Sequence, residues 1–151
     1  MQEIYLVKHS KGAFGLRFFG LGPKFKPNKG LIKLQRFLNR NAFWAKERAI
    51  KDLKKSLANS DVIISIWSGN EIVGFGRALS DGVYRAVLWD IVIDQGHQGQ
   101  GLGKLIVNNL LDSKELKKTK KVYLMTTNKT LFYSQLDFEE VSSQKLLIRE
   151  V

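Results

Sequence analysis

The stretch Ile91-Val92-Ile93-Asp94-Gln95-Gly96-His97-Gln98-Gly99-Gln100-Gly101-Leu102-Gly103-Lys104 decides how this chain is read. An apolar strand ends at Ile93, and three glycines at alternate positions, Gly99, Gly101 and Gly103, lead straight into a helical pattern. Glycine accepts positive φ and lets a ligand approach the backbone, while the first N-H groups of a helix have no partner inside it. Successive amides and the helix dipole together suit a pyrophosphate, and Lys104 adds a cation beside them. A tight strand-to-helix connection would use the same glycines without any ligand. The Walker spacing is absent. The dinucleotide fingerprint fails as well, because the glycines fall as Gly99-x-Gly101-x-Gly103 after an antiparallel pattern instead of a parallel βαβ unit.

Upstream of this stretch the period is strand-like from Asp61. Val62 to Trp67, Ile72 to Leu79 and Tyr84 to Ile93 are separated by Ser68-Gly69-Asn70 and Ser80-Asp81-Gly82, which predicts an antiparallel three-strand meander. Ile4 to Val7 reads as a first strand. After a loop through Gly20, Gly22, Pro23, Pro27 and Gly30, Leu31, Leu34, Phe37 and Leu38 recur at helical spacing. A second helical pattern holds Phe43, Ile50, Leu53 and Leu57, with Trp44 beside it. Downstream, Leu102, Leu105, Ile106, Leu110 and Leu111 predict an amphipathic helix ending in the basic run Lys114 to Lys121. Val122 to Met125 follows as a strand and Thr130 to Leu136 as a short helix, with Phe138 to Val141 and Leu146 to Ile148 as a closing hairpin. The predicted order is β-α-α-β-β-β-α-β-α-β-β, a mixed α/β unit occupying residues 1–151 as one domain.

The chain has 151 residues and no cysteine, which excludes disulfides, thiolate catalysis and cysteine-rich zinc sites and fits a reducing compartment. His9 and His97 are the two histidines, too few for a histidine-based catalytic metal centre. Apolar runs are short and interrupted by charge, so the expectation is a protein outside the membrane, without a signal peptide. The net charge is +11, and residues 1–60 carry fourteen Lys/Arg against three Asp/Glu while residues 61–151 carry eleven of each. Such asymmetry steers an anionic ligand, marks an anionic surface partner, or is a solvated helix face. No groove-reading motif accompanies it, which argues against a nucleic-acid module.

Gln98-x-x-Gly101-x-Gly103 after Ile91-Val92-Ile93 resembles the Gln/Arg-x-x-Gly-x-Gly/Ala signature of the GNAT superfamily of acyl-CoA N-acyltransferases, whose element order is the one predicted above. Leu88 to Ile93, Phe43-Trp44 and the chain length are similar to the small GNAT proteins of cyanobacteria and plastids, a group that includes serotonin N-acetyltransferase-like enzymes. The resemblance implies a GNAT fold, acetyl-CoA as cosubstrate with no metal, a primary amine acceptor, a monomer or homodimer, and residence in the cytoplasm or a plastid stroma. It implies that the backbone of Ile91, Val92 and Ile93 pairs with the pantetheine arm, and that amides of Gln98, Gly99, Gln100, Gly101, Leu102, Gly103 and Lys104 hold the pyrophosphate. The Gln98 side chain touches the ligand or closes its own turn.

Leu131-Phe132-Tyr133-Ser134-Gln135-Leu136-Asp137-Phe138 resembles the family's Phe/Leu-Tyr-x-x-x-Gly-Phe, with Asp137 where glycine is usual. The resemblance makes Tyr133 the acid that protonates the departing thiolate. Reference pKa values of about 10 for phenol and about 8.5 for thiol make that transfer reasonable. Asn128 stands where a further coenzyme contact is expected, at a shorter interval from Tyr133 than the family's. The base position falls on the strand of Asp90, where related enzymes often carry an acidic pair and this chain has Trp89-Asp90. Asp90 acts through water as base, or is a structural carboxylate paired with Arg77 or Arg85. His97 reads as packing first and base second. Phe18, Phe19, Phe25, Phe43 and Trp44 form an acceptor pocket for an arylalkylamine such as serotonin or tryptamine, or else part of the core. Protein lysine or N-terminal acetylation, and a non-catalytic acyl-CoA regulator, are the alternatives.

Overall fold

The β-branched and aromatic runs between Asp61 and Ile93, cut twice by glycine-containing turns, fold into the three central strands of a five-stranded sheet. The computed structural model describes residues 2–11, 20–25 and 28–151, and in it these strands are β2 (Val62–Ser68), β3 (Glu71–Ser80) and β4 (Arg85–Ile93). With β1 (Ile4–Ser10) and β5 (Lys121–Tyr123) the sheet order is β1-β2-β3-β4-β5. Every neighbouring pair is antiparallel except β4 and β5. A parallel pair needs a crossover, and α3 (Leu102–Leu111) supplies it.

Helices α1 (Gly30–Asn41) and α2 (Ile50–Ala58) cover one face through Leu34, Phe37, Leu38, Leu53 and Leu57, which pack on Ile63, Trp67 and Phe75. On the other face Leu102, Ile106, Val107 and Leu110 of α3 pack on Val62, Ile64, Ile66 and Leu88. β2, covered on both sides, is buried at all its positions, which is why every residue from Val62 to Trp67 except Ser65 is apolar. Gly76 of β3 lies under α3, where a Cβ would stand 2.6 Å from Ile106 Cγ2 and 2.8 Å from Ile91 Cδ1, so the helix can approach this closely only over a glycine.

Two expectations are corrected. The second helical pattern does not start at Phe43: Phe43–Ala45 forms a separate 3-10 turn, α2 begins at Ile50, and the Phe43 and Trp44 rings are exposed. The closing hairpin of Phe138–Val141 and Leu146–Ile148 is not formed. After β5 the chain makes the short helix α4 (Thr130–Ser134), and every residue from Glu139 to Val151 is exposed and outside any strand. β5 is only three residues long and offers little ladder for a strand to extend. The mixed α/β class and the order of the nine preceding strands and helices agree with the sequence reading.

One irregularity positions the site. Phe75 pairs with Val92 but Arg77 pairs with Trp89, so Asp90 and Ile91 together oppose Gly76 in a β-bulge, and Asp90 has φ of 54°. Before the bulge Ala86 and Leu88 face the α3 core. Beyond it Ile91 and Ile93 face that core and Val92 faces the α1–α2 core. The extra residue therefore exchanges the two faces of β4 halfway along its length.

Candidate active site

β4 and β5 pair only from Arg85–Lys121 to Val87–Tyr123. Beyond Val87 the β5-facing edge of β4, from Leu88 to Ile93, has no strand partner among the described residues. This is an edge on which an extended chain can lie as an added strand.

Where β4 ends, Asp94 starts a 3-10 turn by accepting the Gly96 N-H at 3.1 Å and lies 3.1 Å from His97 Nδ1. Asp94 also accepts from Arg40 at 3.4 Å and Asn41 at 3.5 Å, so the end of α1 is tied to this connection. The chain then passes through Gly99 (φ 77°) and Gly101 (φ 79°), left-handed positions that glycine occupies without strain. Gly101 is the N-cap of α3 and supplies no side-chain cap. From Gln98 to Lys104 no backbone N-H finds an acceptor among the described residues; the first to do so is Leu105, which donates to the Gly101 carbonyl at 3.0 Å. A Cβ built on Gly99 or Gly101 meets nothing within 4 Å. Seven consecutive unpaired donors thus sit on an open surface at the positive end of a helix, an arrangement suited to a diphosphate.

The second motif is brought to the same place. Phe132 Cζ would lie 3.0 Å from a Cβ on Gly103, and Ile93 Cγ1 would lie 3.8 Å from it, so α4, the cradle and the end of β4 meet there. Tyr133 is buried, with Phe132 at 4.9 Å and Phe138 at 5.9 Å between ring centroids, both edge-on. Burial pushes its hydroxyl up to about 12. Its helix ends in a Schellman turn: Phe138 N-H donates to Tyr133 O at 3.1 Å and Asp137 N-H to Ser134 O at 3.3 Å, with Asp137 at φ of 64°. Asp137 thus occupies a left-handed position where glycine is usual. Asp137→Gly is expected to stabilise the fold by roughly 0.5 to 1 kcal/mol, read as a higher urea midpoint at unchanged slope.

The profile of the Acetyltransferase (GNAT) family matches residues 31–138. The chain belongs to this family. It is 35% identical over 100 residues to the uncharacterized N-acetyltransferase ycf52 of Pyropia yezoensis, covering 63% of the chain and 57% of that relative. It is 33% identical over 104 residues to the histone acetyltransferase TAP1 of Glycine max, covering 61% of the chain and 45% of that relative. The chain therefore spans about half the length of the curated relatives it matches. A crystal structure of a GNAT-family protein from Xanthomonas campestris aligns with a TM-score of 0.75 at 18% identity, covering 100% of this chain and 95% of that one, a likeness of fold.

Within this GNAT domain the remaining residues sort by position. Ile91 and Ile93 are half-buried on the open edge, and Val92 is buried in the α1–α2 core. Leu102 turns its side chain into the α3 core, so only its amide faces the cradle, while Gln100 and Lys104 are exposed. Gln98 Nε2 donates to Ile93 O at 3.4 Å, closing its own turn. Asn128 is exposed in the loop before α4. Phe18 and Phe19 lie outside the described residues, as does the side chain of Phe25. Among the described residues no group of three or more His, Cys, Asp and Glu could hold a metal. A depression of about 300 Å³, lined by Tyr5, Pro23, Lys24, Asn28, Gly69 and Asn70, shares no residue with the cradle.

Asp90 sits in a clamp. Its carboxylate is 3% exposed and accepts from Arg48 Nη1 at 2.8 Å and Nη2 at 3.2 Å, from Arg77 Nε at 2.9 Å and from Trp44 Nε1 at 3.3 Å. Burial pushes its pKa up, but the hydrogen bonds and charges of Arg48 and Arg77 outweigh this and hold it below the usual aspartate value. Of the partners considered from sequence Arg77 is present, whereas Arg85 stacks over Tyr123 at the other end of the strand. Arg48 and Trp44 were missed as partners. They lie more than forty residues away in sequence, in the irregular connection between α1 and α2 where no periodicity marks them.

Proposed function

We propose that this chain moves the acetyl group of acetyl-CoA directly to a primary amine. The observation that carries the reading is the run of unpaired amides from Gln98 to Lys104 beside the open edge of β4. The amides would hold the pyrophosphate, and the backbone of Ile91 and Ile93 would pair with the pantetheine arm. Acetyl-CoA supplies an activated thioester. A backbone N-H near Ile93 would polarise its carbonyl, and the Tyr133 hydroxyl would face the departing sulfur. The chain has no cysteine to carry the acetyl group, which favours direct transfer.

Asp90 serves this reaction by position. A carboxylate held anionic by two arginines is a weak base, and the amine's proton passes to water. The exposed pair Phe43 and Trp44, edge-on at 5.1 Å, supports an arylalkylamine acceptor such as serotonin or tryptamine. The name of the soybean relative favours a second reading, a protein lysine acceptor.

Thiol release measured across arylalkylamines, polyamines and lysine peptides at several pH values tests both points. Turnover with tryptamine is expected, and kcat/KM should rise about tenfold per pH unit from 6 to 9 as the amine, with a reference pKa of about 10, loses its proton. A plateau within that range would point to a base on the protein instead. Turnover confined to peptides would select the second reading. Acetyl-CoA binding with no turnover on any amine would make the protein a sensor.

A further inference from the structure

The Asp90 carboxylate is already saturated by the protein. Oδ1 accepts from Arg48 Nη2 and Trp44 Nε1, and Oδ2 from Arg48 Nη1 and Arg77 Nε, so each oxygen holds two donors. One carboxylate between two guanidinium groups leaves the clamp cationic, and an arriving ammonium meets repulsion there and no free acceptor. Arg48 is the member that solution reaches: its side chain is 31% exposed, against 15% for Arg77 and 3% for Asp90. Asp90 takes one N-H from each Nη of Arg48, and the remaining N-H groups of that guanidinium have no acceptor among the described residues. The backbone of Arg48 is fixed on both sides. Gln35 Nε2 donates to its carbonyl at 2.8 Å, and the preceding Glu47 N-H donates to Asn39 Oδ1 at 2.8 Å. Glu47 and Asp90 both take left-handed φ, 60° and 54°, so non-glycine strain stands on either side of the Arg48–Asp90 contact. Nearby charge has the same sign. Residues 40–51 carry four bases against the single acid Glu47, and Lys46 and Lys51 are exposed and in no ion pair among the described residues.

Resting on the transfer reading above, we propose that the preferred acceptor is a primary amine whose molecule also bears a carboxylate, and that Arg48 is the specificity-determining residue that binds it. A guanidinium held in place by one carboxylate presents its free N-H groups as a fork for a second. The location suits an acceptor. Asp90 directly precedes Ile91, whose backbone would pair with the pantetheine arm, and Trp44 donates to Asp90 while its ring is exposed beside Phe43. The aromatic pair would take the apolar part of the acceptor and Arg48 its carboxylate, leaving the amine toward the β4 edge. Polyamines and lysine-rich peptides are disfavoured by the same charge.

Matched acceptors test this at saturating acetyl-CoA: tryptamine against tryptamine carrying a carboxylate on the indole ring, and a lysine peptide flanked by Asn against the same peptide flanked by Asp. The first pair represents a small acidic arylalkylamine and the second an acidic protein. In at least one pair the carboxylate-bearing member is expected to have a kcat/KM about tenfold higher at low salt, with the ratio shrinking as salt is added. Arg48→Met should bring that ratio to about one, and Arg48→Lys, which keeps the charge and loses the fork, should leave it at about threefold. A residue that only supported the fold would lower kcat/KM for both members alike and leave the ratio unmoved. The salt dependence is measured on the unaltered protein, so it stands even where a variant fails to fold. Equal or lower kcat/KM for the carboxylate-bearing member of both pairs, or a ratio that survives Arg48→Met, would overturn this inference and leave acetyl transfer standing. No turnover on any acceptor would overturn the transfer reading, and this inference with it.

Discussion

Tyr133→Phe is expected to lower kcat by about 10²-fold to 10³-fold while leaving acetyl-CoA affinity unchanged. The ring contacts with Phe132 and Phe138 survive the change, so the fold and the α4 end of the site remain in place. Only the hydroxyl is lost. With its hydroxyl pushed up to about 12, Tyr133 is a weaker acid than the sequence reading assumed. Complete transfer of its proton to a thiolate of pKa about 8.5 would be roughly 5 kcal/mol uphill. In the proposed mechanism the hydroxyl would therefore donate a hydrogen bond to the departing sulfur, strongest as charge develops there, with solvent delivering the final proton. A group at about 12 stays protonated across the working range, so the variant should lose rate without changing the shape of the pH profile. Isothermal titration with acetyl-CoA and steady-state thiol release check both halves. A variant with full kcat, or with a newly appeared ionisation, would remove Tyr133 from the reaction.

Asp90→Asn is expected to destabilise the protein by about 3 kcal/mol, because it leaves two arginine side chains without their shared anion in a mostly buried position. For a domain of this size that corresponds to a melting temperature lower by roughly 6 to 12 °C. The pH dependence follows from the direction of the shift. A carboxylate whose folded pKa is depressed contributes its stabilisation above the unfolded value and loses it as pH falls through the folded value, so the gap between wild type and variant should close in acid. Combining Asp90→Asn with Arg48→Met and Arg77→Met should recover part of the loss, since it removes the unpaired charges and keeps at φ of 54° a residue that tolerates the left-handed region. Kinetics separate the two roles of Asp90. A positioning carboxylate lowers kcat/KM through the displaced Trp44 and bulge, with the slope of the pH profile kept. A base would lower kcat/KM by about 10²-fold or more with the melting temperature unmoved and the slope changed.

Much of this was legible because local rules operate locally. Turn residues at 68–70 and 80–82 and the β-branched runs between them place β2, β3 and β4 within about a residue of their observed ends. The glycines at 99 and 101 took the left-handed conformations their spacing called for, and Asp137 took the one that its place in the tyrosine motif demanded. The closing hairpin was overread, since apolar residues at 138–141 and 146–148 carry strand propensity but no information about whether a partner lies in reach. Phe43 was placed in a helix because its spacing to Ile50 fits a turn count, and the irregular connection between them breaks that register.

Sequence alone determined the strand-turn-helix unit at 91–104, because an apolar run, glycines free to take positive φ and the unpaired first amides of a helix are all properties of neighbouring residues. Tertiary structure alone decided what Asp90 is. One extra residue opposite Gly76 exchanges the faces of β4 and turns that carboxylate toward Arg48 and Trp44 from a distant connection. Register and face depend on which strand lies alongside and where the ladder slips, and no residue carries that information by itself.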